Sequence, residues 1–132
     1  LLGIDLYKDV DRIIAAYHDD TGVSEAFNKN VLAVINRELG ADFDGDAFTY
    51  VPFWNPTHTR IEMRLSSNHA QSIRIAELEM EVELAAGEEI RVEISSKFRP
   101  ADIVGEVSAA GFELGELWSG DGDFGLLLVR RI

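Results

Sequence analysis

The spacing of apolar residues changes near Thr49, and that change constrains the fold more than any other feature of the chain. Before it, Val10, Ile13, Ile14 and Tyr17 recur at helical spacing, as do Phe27, Val31, Val34, Ile35 and Leu39. After it the period is two. Ile61, Met63 and Leu65 alternate with Arg60, Glu62 and Arg64, Ile73 and Ile75 with Ser72, Arg74 and Ala76, and Leu78, Met80, Val82 and Leu84 with Glu79, Glu81 and Glu83. A helical pair followed by antiparallel strands predicts an α+β chain.

Local signals set the expected boundaries. Asp9 caps the first helix, and His18-Asp19-Asp20 with Thr21-Gly22 ends it. Ser24 is placed to cap the second helix, with Glu25 in its first turn and Gly40 as its stop. Strands over 49–54 and 60–66 meet across Asn55-Pro56-Thr57-His58 as a hairpin. The row over 78–84 reads as a two-faced strand whose acidic side is wet. Past Ala86-Gly87-Glu88, strict alternation puts Ile90, Val92 and Ile94 on one face and Arg91, Glu93 and Ser95 on the other. Glu93 and Ser95 would then stand about 6.5 to 7 Å apart along the strand. Pro100 opens a short helix with Ile103, Val104 and Val107, stopped by Gly111, and a final hairpin over 112–118 and 124–129 turns through Ser119-Gly120-Asp121-Gly122-Asp123.

The two ends differ from the middle. Leu1 to Leu6 and Phe124 to Val129 are nearly continuous apolar runs, as in strands buried on both faces. They read as strands of a larger sheet, and the chain as a piece of a longer protein. Its 132 residues allow one domain with a real core, being 46% hydrophobic and 27% charged. Twenty-four acidic against 12 basic residues give a net charge of −12, which disfavours nucleic acid and anionic membrane surfaces. The absence of cysteine removes disulfides and thiolate chemistry and fits a cytoplasmic protein. No apolar run is long enough for a transmembrane helix.

Most chemical motifs fail on inspection. The Asp42-Phe43-Asp44-Gly45-Asp46 run resembles the start of a calcium loop, but Phe53 stands where the bidentate Glu belongs. Asp121 and Asp123 read as turn formers. His18, His58 and His69 are scattered, so no metal site is expected, and neither a nucleophile elbow nor a glycine-rich nucleotide turn occurs. Glu93 with Ser95 is the pair with chemical content: a carboxylate accepts an N–H, and a hydroxyl can donate to or accept from a second nitrogen. An exposed polar face is the competing reading.

Six stretches carry a family resemblance: Leu2-Gly3-Ile4-Asp5-Leu6 with Lys8-Asp9, Ala16-Tyr17, Phe27 to Leu32 running into Ile35 to Leu39, Ile61 to Leu65, Ala86 to Ile90, and Glu93-Ile94-Ser95-Ser96-Lys97-Phe98. In order and nearly without insertion, they resemble the C-terminal part of the histidine-specific S-adenosylmethionine-dependent methyltransferases, typified by the ergothioneine-pathway enzyme that methylates the histidine α-amine. The resemblance implies that residues 1–7 end a Rossmann-like domain, that 8–98 form the domain binding the amino acid, and that 99–132 return as helix and hairpin to the methyltransferase sheet. S-adenosylmethionine would be held mainly by residues before Leu1. Tyr17 matches a tyrosine that binds the substrate carboxylate, Glu93 and Ser95 match the pair gripping the two imidazole nitrogens, and Met63 matches a methionine lining the pocket. Ser24 stands where the family has a threonine in a water-mediated contact near the amine. The implied substrate is histidine, the implied product its trimethylated betaine, and the isolated piece is expected to be inactive and to self-associate through exposed sheet edges. A non-catalytic binding module of the same fold is the alternative.

Overall fold

In the computed structural model, which describes residues 1–18 and 20–132, three helices and eight strands are found among the described residues. They run β1 (Leu2–Asp5), α1 (Val10–Tyr17), α2 (Val23–Leu39), β2 (Phe48–Asn55), β3 (Arg60–Ser67), β4 (Gln71–Ile75), β5 (Met80–Leu84), β6 (Glu89–Ser96), α3 (Pro100–Ala109), β7 (Phe112–Trp118) and β8 (Phe124–Arg131). Every strand pairing is antiparallel. The expected α+β class therefore holds. The strands form three sheets, ordered β1-β8-β7, β2-β3-β6 and β4-β5.

One core lies between α1, α2 and the inner face of β2-β3-β6. Ile13 and Leu32 from the helices meet Phe48, Tyr50, Ile61, Met63 and Leu65, and Ile73 and Leu84 reach in from β4-β5. A second core lies under α3, where Ile103 and Val107 cover Ile4, Leu6 and Leu127. Between the cores the chain crosses twice, side by side. Tyr7 N donates to Phe98 O at 2.8 Å and Phe98 N to Asp5 O at 2.9 Å, with a parallel bridge between Leu6 and Phe98.

Several boundaries depart from expectation for local reasons. Asp9 does cap α1, accepting from Arg12 N at 3.1 Å, whereas Asp19, read as part of that helix's end, lies outside the described residues. Ser24 does not cap α2. The helix begins at Val23, its cap is Gly22 at a left-handed φ of 74°, and Ser24 is already inside the first turn. Gly40 ends α2 in the same left-handed region, as anticipated. The apolar stripe of α2 is rotated from its expected position: Leu32 and Asn28 are buried, and Phe27 is exposed. Burial of Asn28 is affordable because its amide donates to Ser24 O at 2.9 Å.

The row over 78–84 is not one strand. A 3-10 turn over Ala76–Leu78 and a left-handed Glu79 at φ 48° shorten it to Met80–Leu84, leaving Leu78 exposed. Val104 of α3 also faces out. The terminal strands pair with each other, but β1 is an edge strand and the burial expected on both faces is met on one face only. No helix among the described residues is long and apolar enough to cross a membrane.

Candidate functional site

Strict alternation along β6 fails at one residue, and that failure builds the site. Pairing with β3 places Ile61 opposite Ser95, Glu62 opposite Ile94 and Met63 opposite Glu93, then shifts so that Arg64 faces Arg91. Val92 is the extra residue of a β-bulge. Before the bulge Ile90 shares the inner face with Leu65; after it, Glu93 and Ser95 share that same face with Met63 and Ile61. The expectation that Ile94 shares one face with Ile90 and Val92 is thus overturned. Ile94 is 47% exposed on the outer face, while Ile90 and Val92 pack against the core.

The turned-in strand end meets α1. Tyr17 Oη lies 2.8 Å from Ser95 Oγ, and Tyr50 Oη donates to the Tyr17 carbonyl at 3.2 Å, holding the last turn of the helix against β2. At the centre is Lys97, whose side chain is 1% exposed. Its ammonium donates to Asp5 Oδ2 at 2.6 Å, Ser95 Oγ at 2.8 Å and Tyr17 Oη at 2.9 Å. Asp5 also accepts from Lys8 Nζ at 2.8 Å. Burial alone pushes the Asp5 carboxyl up, but the hydrogen bonds and charges of Lys8 and Lys97 outweigh it and hold the group below its ordinary value. Strand β1, α1 and the end of β6 are therefore fastened at one charged node.

Glu93 opens onto a cleft of about 270 Å³ lined by Phe27, Asn28, Asn30, Val31 and Val92. This explains the exposed phenylalanine of α2: Phe27 stands over the cleft instead of entering the core. Of the residues singled out from sequence, Tyr17 and Ser95 are in contact, and Glu93 is two residues from Ser95 on the same face. Met63 is directly opposite Glu93 in register but buried in the core, not on the cleft wall. Ser24 lies one turn before Asn28 on α2 and is not among the cleft's lining residues.

The reading of the sequence gave no role to Lys97 or Asp5. A signal for Lys97 was present, since Glu93, Ser95 and Lys97 are spaced by two and continue one strand face. Asp5 offered none, because its partners at Lys97 and Lys8 depend on the double crossing between the cores. The acidic loops are structural as expected: Asp44 accepts from Asp46 N, Asp121 from Asp123 N, and Asp123 also pairs with Arg12 at 2.9 Å. Among the described residues no group of three or more His, Asp and Glu side chains could hold a metal.

Comparison with known proteins identifies the family. Residues 1–131 match the family described as histidine-specific methyltransferase, SAM-dependent. The chain belongs to that family. It is 53% identical over 132 residues to a histidine N-alpha-methyltransferase of Mycolicibacterium smegmatis, and 49% identical over 132 residues to the enzyme of that name from Mycobacterium tuberculosis. Each alignment covers 99% of this chain and 41% of the relative. A more distant relative, the N-methyltransferase imqF of Aspergillus flavus, is 27% identical over 127 residues, covering 95% of this chain and 34% of that protein. The chain thus spans about two-fifths of the length of the two histidine N-alpha-methyltransferases. Family membership implies S-adenosylmethionine as methyl donor. Among the described residues β1 passes to α1 through Leu6-Tyr7-Lys8-Asp9, a junction without the glycine-rich turn that receives a nucleotide in Rossmann-like folds.

Proposed function

We propose that this chain is the amino-acid-binding part of an enzyme that methylates the α-amine of histidine to its trimethylated betaine. The observation that carries the proposal is the bulge at Val92, which puts Glu93 and Ser95 on the helix-facing side of β6, Glu93 exposed at the cleft and Ser95 half-buried against Tyr17. In this reading Glu93 and Ser95 take the two imidazole nitrogens and Tyr17 takes the carboxylate. Met63 supports Glu93 from the core, and Ser24 contributes near the amine through water. The donor, bound mainly by residues before Leu1, would supply an electrophilic methyl group. The residues here hold the neutral amine in line for attack, so their work is orientation and not covalent chemistry. Glu93 supplies specificity, because a side chain without a ring N–H would leave that carboxylate unpaired.

Residues 1–7 and 99–132 are, on this proposal, margins of a Rossmann-like domain, and 8–98 the substrate domain. The two separate cores and the adjacent crossings at Leu6 and Phe98 support that division. The test uses the full-length protein with histidine and donor, read by mass spectrometry. Trimethylated histidine is expected from it, none from the 132-residue chain alone, and at least a ~10-fold weaker histidine affinity from Glu93→Ala. Unchanged affinity in that variant would remove Glu93 from the site.

A further inference from the structure

We propose that Lys97 is a positioning residue that makes Ser95 a dedicated hydrogen-bond donor, so that the site selects a ring carrying one bare nitrogen and one N–H. The inference rests on the reading of Glu93 and Ser95 as the imidazole-binding pair. An ammonium has three protons and accepts nothing. Those of Lys97 are all taken, by Asp5, Tyr17 and Ser95. Lys97 therefore cannot contact a ligand itself, and its charge is balanced by Asp5 beside it. What it can do is occupy one lone pair on each hydroxyl oxygen.

The two hydroxyls are also 2.8 Å from each other. The phenol is the stronger acid, so Tyr17 donates to Ser95. Ser95 Oγ then accepts twice, from Lys97 and Tyr17, and its own proton can only point away from both. When a substrate carboxylate draws the Tyr17 proton, Lys97 still holds both oxygens. The Ser95 proton then chooses between a phenol oxygen and an imidazole nitrogen, and goes to the nitrogen as the more basic acceptor. A carboxylate such as that of Glu93 accepts hydrogen bonds and donates none. The pair thus presents one donor and one acceptor, complementary to neutral imidazole. A ring lacking the bare nitrogen leaves the Ser95 proton unpaired, and an imidazolium meets it with a second N–H. Without Lys97 the serine is free to turn over and this discrimination is lost.

The experiment compares histidine with β-(pyrrol-3-yl)alanine, which keeps the ring N–H and lacks the bare nitrogen, by calorimetric titration of the full-length protein. Wild type should prefer histidine by about 10-fold or more, the usual consequence of leaving a buried donor unmet. Lys97→Met should narrow the preference to within about threefold through lost histidine affinity, with the pyrrole analogue changed less than about threefold. Ser95→Ala should narrow it likewise. Equal losses for both ligands in Lys97→Met would make Lys97 a merely structural residue and overturn the proposal, as would an intact preference in either variant. If Lys97→Met shows no cooperative melt, Lys97→Met with Asp5→Asn removes the paired charges together and is read in the same way. Failure of the wild type to bind histidine at all would instead sink the underlying assignment of the site.

Discussion

The core between the helices and β2-β3-β6 and the core under α3 use similar side chains but cover their sheets differently. In the first, the helices bury the inner face, and the outer face closes over its own charges. Glu62 there is 2% exposed and accepts from Asn55, Arg60 and Arg64 at 2.6 to 3.1 Å. Arg64 in turn lies 4.0 Å over the Phe53 ring. In the second, α3 covers Leu127 on one face of β8, while Phe124, Leu126 and Leu128 on the other face are 65%, 42% and 47% exposed. Alternating strands leave mainly charged groups on the second face, with Phe53 and Ile94 half-exposed among them. A continuously apolar strand such as β8 finds a partner for only one of its faces.

The sharpest way to break this contrast is to truncate neighbours on β8. Leu127→Ala should cost about 2 to 5 kcal/mol in urea unfolding, as for other fully buried leucines, whereas Leu126→Ala in the isolated chain should cost less than about 1 kcal/mol. Similar losses at both positions would mean that the outer face is already covered. In a longer protein that contains this chain, the Leu126 cost should rise if further residues pack there.

An uncovered face of this kind invites a second copy. The isolated chain should self-associate with increasing concentration in sedimentation velocity, and Leu126→Lys with Leu128→Lys should return it to monomer. A monomer at all concentrations without those changes would show that the open edge of β1 and the bare face of β8 are tolerated in water.

The same contrast explains which parts of the structure could be read in advance. Helical spacing located α1 and α2, the 60–66 alternation located β3, and the unbroken apolar runs located β1 and β8 as strands. Periodicity reports which face is apolar, not where the count slips. It therefore missed the bulge at Val92, the left-handed turn at Glu79 and the start of α2 at Val23, each decided by one residue's backbone. Glu93 and Ser95 stood out by their chemistry and their shared face, but their proposed roles and that of Tyr17 come from the family likeness, and alternation alone set the pair on the face opposite Ile90. Lys97 and Asp5 are 92 positions apart in sequence, so no local pattern links them.

The charged outer face carries a pH signature that the apolar face of β8 lacks. Hydrogen bonds from Arg64 and Arg60, helped by Asn55 and by charge, outweigh the desolvation of Glu62 and hold its carboxyl at about 2, against an ordinary 4.5. A group whose pKa is lowered on folding stabilises the fold above its unfolded value and ceases to do so as pH falls through the folded one. The Glu62 contribution should therefore be complete above 4.5 and fade towards about 2. Glu62→Gln should flatten the stability profile within that acid window, measured by urea unfolding at successive pH values. An unaltered slope would mean that Glu62 is ionised alike in the folded and unfolded chains.

The smallest expected effect is also the one that discriminates best between two readings of β6. If alternation ran unbroken, Ile94 would sit in the core beside Ile90 and Val92, and Ile94→Ser would cost several kcal/mol, as large-to-small core changes do. With Val92 as the bulge, Ile94 lies across from Glu62 on the outer face, half in solvent. Ile94→Ser should then cost no more than about 1 kcal/mol, the span of strand preference at an exposed position. The same bulge carries Glu93 and Ser95 inward, so this stability measurement also reports on the site without using a ligand. A loss above about 2 kcal/mol, in the range of core truncations, would return Ile94 to the interior and move the Glu93 carboxylate to the face opposite Tyr17 and Lys97.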